Sequence, residues 1–428
     1  LIASLMKARP PVVRQVLPNG LTVIVAPDHS NPDVSILFGV GAGNLDDPLG
    51  KAGLAHLSAH MLHWGSEHFT AREIARALDG VGAHLRVRVD GDETTFALQC
   101  LPEAMSTAMA VLSDEITRPV YRAEFLAGQK DAIVTLTHMA QEDPVSVARE
   151  NLITALYGRS SPYHWTERGT PETRNHIWIK DIEEFHHQHY RPENSTIVIA
   201  GDVDPADAAQ WVERTFGAWK EPGPLLAPTP STAVAEMVKA PVRQLVPGTR
   251  ENAVMMGGPG IERQRPDFYA AELMNLILGG WDFNSRLMRD IRDREGLVYH
   301  ISSSWSAGRF AGPWVLWFES SPDNTDRAIA RAIADIKLFQ EKGVTADEMQ
   351  VFKNWIAGRQ ALSLQTHGGV ARSLLYAEHY HLGLDYPWTY PALVAAVTPD
   401  AVQDAARQLI HPDDLVVSIA GPSVGGGP

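Results

Sequence analysis

Short runs rich in β-branched and aromatic residues alternate along this chain with longer stretches whose apolar residues recur three and four positions apart. The first kind predicts strands and the second predicts helices. Strands are expected at 20–27 (GLTVIVAP) and 34–40 (VSILFGV), then a helix, then a strand in ETTFALQCL. A long helical stretch follows, and a closing strand at 196–200 (TIVIA) returns to the sheet. The helix expected over 71–78 begins after Thr70 with Glu73 three residues on, the spacing of a capping box. The same succession recurs in the second half and closes with a strand at 415–420.

The recurrence has a register. Val34 corresponds to Val254, Pro102 to Pro322, and RPENSTIVIAG (191–201) to HPDDLVVSIAG (411–421), each 220 positions on. Matching punctuation at one offset marks an internal repeat. The fold class expected is therefore α+β: two homologous domains, each a largely antiparallel sheet with helices packed on one face. The boundaries read as 1–219 and 239–428, joined by a linker over 220–238. In that linker Pro222, Pro224, Pro228 and Pro230 favour an extended chain. The tail VGGGP is expected to be disordered.

Composition changes this picture little but excludes several classes. With 428 residues, 44% hydrophobic and 21% charged, the chain can bury more than one core. A net charge of −14 argues against a nucleic-acid backbone as partner. The single cysteine, Cys100, rules out an internal disulfide and a multi-cysteine metal site. No apolar run approaches the roughly 18 residues of a membrane span. Residue 1 is Leu rather than Met, which leaves open a leader upstream. The expectation is a soluble protein whose compartment, bacterial periplasm or cytoplasm, stays open.

Candidate chemistry starts in GKAGLAHLSAHMLHWGSEHFT. His56 and His60 stand four apart on an expected helix, so both imidazoles face one way and could share a metal ion. The segment resembles the inverted zinc signature H-x-x-E-H of the pitrilysin/insulinase family of metallopeptidases. That resemblance implies two zinc-binding histidines and a glutamate that takes the proton from zinc-bound water. Here the glutamate's place is held by Ala59, whose methyl group cannot act as a base. The resemblance also implies a third ligand, a glutamate roughly 76 residues beyond the second histidine. The corresponding stretch is DAIVTLTHMAQEDP, which places the ligand at Leu136, flanked by Thr135 and Thr137, with no carboxylate among them. Active relatives carry N-A-x-T on the strand beside the substrate, where this chain has Arg86, Val87, Arg88 and Val89. His63 cannot complete a trio with His56 and His60. Seven residues of helix separate His56 from His63 by about 10 Å, against roughly 4 Å between ligands of one ion. A site formed by His56, His60 and His138 stays open. The favoured expectation is that this chain holds no metal.

A second constellation is intact. In GGWDFNSRLMRDIRDREGLVYHISSSW the pattern predicts a charged helix over 285–295, Gly296 as the residue that ends it, and an apolar strand over 297–304. The stretch resembles the arginine/tyrosine element of the same family. The resemblance implies that Arg292 holds a substrate carbonyl and Tyr299 donates to the developing oxyanion. Neither group needs deprotonation for that work. The competing reading makes Arg286, Arg289, Arg292 and Arg294 a solvated face and Tyr299 a core residue. The glycine-rich loop of the mitochondrial processing peptidase α-subunit is absent, with only Gly279 and Gly280 in its place.

Together these features point to a non-catalytic subunit of a heterodimeric zinc peptidase. It would bring Arg292 and Tyr299 to a site whose zinc is held by a homologous partner subunit, acting on a peptide substrate. Two alternatives stand beside it: a purely structural, core-protein-like subunit, and a single-chain zinc peptidase with altered ligands.

Overall fold

The computed structural model describes residues 9–158, 161, 163, 168–225, 241–280 and 283–422, apart from the side chain of Leu136. Positions 226–238 of the expected linker and the tail 423–428 lie outside the described residues. Two compact units form, one from Leu1–Val134, Trp165–Thr229 and Gly358–Tyr390, the other from Thr135–His164, Pro230–Ala357 and Pro391–Pro428.

The first unit is built on a six-stranded sheet. Its strands are β1 (Val13–Val16), β2 (Thr22–Pro27), β3 (Val34–Val40), β4 (His84–Val89), β5 (Thr94–Cys100) and β6 (Ser195–Gly201). They lie in the order β1-β2-β6-β3-β5-β4 and are antiparallel except for β2 with β6. β3 is buried at every position, so both faces of the sheet require cover. On one face Phe38, Phe96 and Ile36 meet Leu57, Leu112 and Phe216 from the helices Leu54–Met61, Met105–Thr117 and Pro205–Phe216. On the other, Ile24, Leu37 and Val198 meet Leu374 and Leu375 of the helix His367–His379, which comes from the second half of the sequence.

The second unit repeats the design with β7 (Val242–Leu245), β8 (Asn252–Pro259), β9 (Ile301–Trp305), β10 (Pro313–Ser320) and β11 (Val416–Gly421). Their order, β7-β11-β8-β10-β9, is that of β2-β6-β3-β5-β4, with β7 and β11 again the parallel pair. The helices Phe268–Gly279, Pro322–Lys342 and Pro399–Leu409 form its helical layer. Its opposite face is covered from the first half of the sequence. Ala148 and Leu152 of the helix Pro144–Tyr157 pack on Ala253, Met255 and Val416. Each unit thus has the helix-layered sheet expected, plus one helix drawn from the other half. Gly257 lets that helix approach, since a Cβ there would meet the Trp314 carbonyl oxygen at 2.6 Å and Leu152 at 3.1 Å.

The repeat register needs one correction. Val34 lies opposite Cys100, but Ser320, which is 220 residues beyond Cys100, lies opposite Asn252 and not Val254. β8 has slipped by two residues relative to the offset that Pro102/Pro322 and Gly201/Gly421 keep. A slip of two leaves every side chain on its original face, so the apolar pattern tolerates it. The capping box at Thr70 forms as read: the Glu73 N–H donates to Thr70 Oγ1 at 3.4 Å, and the Thr70 N–H to Glu73 Oε2 at 2.8 Å.

Candidate functional site

The helix carrying the histidine motif is Leu54–Met61. It starts at Gly53, whose φ of +92° suits glycine and whose missing Cβ would stand 2.5 Å from the Arg168 carbonyl oxygen. The buried Asp47 fixes this end: its two carboxylate oxygens accept the Gly53 and Ala55 N–H groups, both at 2.7 Å. Burial raises the Asp47 carboxyl to about 8, and those two N–H groups oppose the rise. Asp47 does for this helix what a capping side chain normally does, from six residues upstream, where no local spacing rule points to it.

The helical spacing brings the imidazoles of His56 and His60 together, their ring centroids 4.2 Å apart and inclined by 40°. Ala59 is fully buried beside them. Residues 135–137 lie within the helix Ala123–Gln141, where Thr135 is exposed and Thr137 half-buried; the side chain of Leu136 lies outside the described residues. His138 is exposed. Among the described residues no three histidine, cysteine, aspartate or glutamate side chains gather as a metal site. The zinc arrangement that the motif implies does not fit these residues: none of residues 135–137 is a carboxylate that could join His56 and His60 as a ligand, and Ala59 offers no base for a metal-bound water. His63 is engaged elsewhere, its Nδ1 lying 3.1 Å from Oε1 of the fully buried Glu115. Ala59→Glu alone is accordingly expected to leave the protein without bound zinc. Elemental analysis after dialysis against micromolar zinc tests this, and one zinc per chain would reveal a third ligand outside 135–137.

β4 is the edge of its sheet. Leu85 and Val87 pack towards the core while His84, Arg86 and Arg88 stand exposed on the opposite face, so the two arginines in place of N-A-x-T make this edge basic.

In the second unit the helix over 286–294 is π-helical from Met288 to Arg294, a rare geometry that recurs at functional sites. Gly296 ends it as expected, with φ of +63°. The Leu297 N–H reaches back to Ile291 O at 3.1 Å, and the Gly296 N–H to Arg292 O at 3.0 Å. Tyr299 was expected inside the following strand, but β9 starts only at Ile301, opposite Phe318. The physical reason is that Arg292 Nε donates to the Tyr299 carbonyl oxygen at 2.7 Å, taking the acceptor a strand partner would use. Tyr299 is not a core residue: it is 83% exposed.

The structure also sorts the four arginines. Arg286 is half-buried and pairs with Glu348, Arg289 and Arg294 pair with Asp290, and Arg292 binds Tyr299 O and Asp293 Oδ1. Arg292 Cζ lies 5.7 Å from the Tyr299 ring centroid and 5.1 Å from that of Phe283, a residue the sequence pattern did not single out. Phe283 follows the Gly-Gly pair in what reads as loop, and nothing local announces that it will stack on a residue nine positions away.

Residues 22–163 match the family model described as Insulinase (Peptidase family M16), and residues 177–354 that of the Peptidase M16 inactive domain. An uncharacterized zinc protease of Streptomyces coelicolor is 26% identical over 93% of this chain and 87% of its own length. One of Bacillus subtilis is 23% identical over 96% and 98%. A solved structure titled peptidase M16 inactive domain, from Pseudomonas fluorescens, superposes with a TM-score of 0.89 at 24% identity, covering 97% of this chain and all of that one. A protease from Helicobacter pylori gives 0.87 at 16% identity, over 96% and 99%. The fold and the degenerate motif thus define a metallopeptidase-like protein of two α+β units. The chain belongs to the pitrilysin/insulinase family, peptidase family M16.

Proposed function

We propose that this chain is the non-catalytic subunit of a heterodimeric zinc peptidase. A homologous subunit with an intact H-x-x-E-H would hold the zinc, and this chain would supply Arg292 and Tyr299 to the bound peptide. The observation that carries the reading is the contrast between the two constellations. The base and third-ligand positions of the zinc motif carry no carboxylate, whereas Arg292 and Tyr299 stand out from the core and are bonded to each other. A scaffold has no use for an exposed tyrosine held in place by an arginine.

In this reading each side chain works at a stated atom. Arg292 is fixed by Tyr299 O and Asp293, and its Nη2 makes no hydrogen bond among the described residues, so it can donate to a peptide carbonyl. The Tyr299 hydroxyl is a neutral donor for the oxygen on which charge develops as the carbonyl carbon becomes tetrahedral.

The test is to co-purify the chain with a homologue of similar length that retains H-x-x-E-H, and to compare peptide cleavage with and without Arg292→Ala. The complex is expected to assemble unchanged, with KM raised roughly tenfold by the loss of one charge-assisted hydrogen bond. Failure of any such homologue to form a complex, or wild-type KM and kcat for the variant, would leave a purely structural subunit as the better account.

A further inference from the structure

Phe283 is 66% exposed and Tyr299 83%, on either side in sequence of a helix whose Arg292 lies within cation–π distance of both rings. Exposed apolar side chains scattered singly need no explanation. Two large aromatic rings meeting one immobilised guanidinium are a different case, because the arginine's orientation is set by two hydrogen bonds at 2.7 and 2.6 Å. The result is a small apolar surface with one hydrogen-bond donor in it. We propose that Phe283 is a specificity-determining residue of the peptide site, its ring receiving an aromatic or large aliphatic side chain of an extended peptide whose carbonyl is held by Arg292. This rests on the reading of Arg292 given above and adds the class of peptide preferred.

Three observations choose this occupant. Two rings and a guanidinium cover far less than the roughly 1,000 Å² that a stable protein interface needs, which fits a short segment rather than a folded partner. Asp293 Oδ1, 2.6 Å from Arg292 Nη1, already offsets the arginine's charge, which favours a neutral carbonyl over a carboxylate or phosphate. The Phe283 ring has no polar atom, so what it prefers against its exposed area is another apolar surface.

The experiment uses the full chain and two fluorescein-labelled ten-residue peptides of glycine and serine, identical except for a central Phe or a central Ser. Affinities are read by fluorescence anisotropy, with folding of each variant checked by circular dichroism. The wild-type chain is expected to bind the Phe peptide on the order of tenfold more tightly than the Ser peptide. Phe283→Ala removes the preference without weakening the Ser peptide, and Phe283→Leu retains part of it. A preference that survives Phe283→Ala, or a wild-type chain that binds both peptides equally or neither, overturns the proposal. Arg292→Ala separates the two readings: it weakens both peptides if the arginine holds a carbonyl. If it weakens neither while Phe283→Ala still acts, the proposed role of Arg292 fails and the apolar contact stands.

Discussion

Arg286→Ala is expected to destabilise the chain by about 2–3 kcal/mol, the cost of leaving a part-buried carboxylate without its bidentate partner. Arg286 Nε and Nη2 donate to the two oxygens of Glu348, both at 2.7 Å, and Nη2 also donates to the Gly343 carbonyl oxygen at 2.7 Å. The two side chains are only 11% and 12% exposed, so water screens them little. The guanidinium carbon lies 4.6 Å from the Phe339 ring centroid, a contact the variant also loses. Burial by itself would raise the Glu348 carboxyl. The Arg286 hydrogen bonds and the Thr345 N–H outweigh it and bring Glu348 down to about 2. A carboxyl depressed in the folded state stabilises fully above its unfolded value of 4.5 and loses that contribution as pH falls from 4.5 towards 2. A shift of this size corresponds to about 3 kcal/mol. Urea denaturation at pH 7 and pH 3 checks both statements. Wild-type stability should fall between them, and the variant's should fall less, by the share that Glu348 contributes. A variant within about 1 kcal/mol of wild type at pH 7 would show that the bidentate pair is not what holds this helix.

That prediction was not available from the sequence, where Arg286, Arg289, Arg292 and Arg294 read as one charged face. Their separation depends on partners at other distances along the chain. Glu348 lies 62 residues from Arg286, whereas Arg292 finds its acceptor seven residues away. Other features were legible because the information is local. The capping box at Thr70 and the glycine at 296 each specify a backbone conformation through their own chemistry. The absent base at Ala59 is equally local, since a substitution inside a four-residue spacing needs no fold to be recognised. The exchanged helices Pro144–Tyr157 and His367–His379 were not legible. An amphipathic helix shows that it will bury one face but not which sheet receives it. The strands β3 and β8, buried at every position but the last of β8, held a hint, because residues buried on both faces demand cover on both. Tyr299 was placed in the strand because the run from Leu297 to Ser304 reads as an apolar strand directly after the glycine that ends the helix. The strand starts at Ile301 rather than 297, four residues late, and in that interval the Arg292 side chain bonds the Tyr299 carbonyl.

If the chain is the subunit proposed above, Tyr299→Phe is expected to reduce turnover of the complex with its zinc-bearing homologue by about 10²–10³-fold while leaving folding and assembly unchanged. The exposed ring makes few packing contacts, and the bond that fixes this turn comes from Arg292 to the backbone oxygen, which phenylalanine retains. Only the hydroxyl is lost. If that hydroxyl serves the oxyanion, the loss falls on kcat, because the ground-state carbonyl demands less of the donor than the charged intermediate does. On the same proposal Arg292→Ala behaves differently: it would remove a donor to bound peptide together with the bond to Tyr299 O, so KM rises first. The distinction between kcat and KM is therefore diagnostic of the two roles. Steady-state kinetics on the complex with the zinc-bearing homologue measures both, with size-exclusion chromatography confirming equal assembly. A Tyr299→Phe complex with wild-type kcat would remove the tyrosine from the reaction and leave it as an aromatic contact beside Phe283.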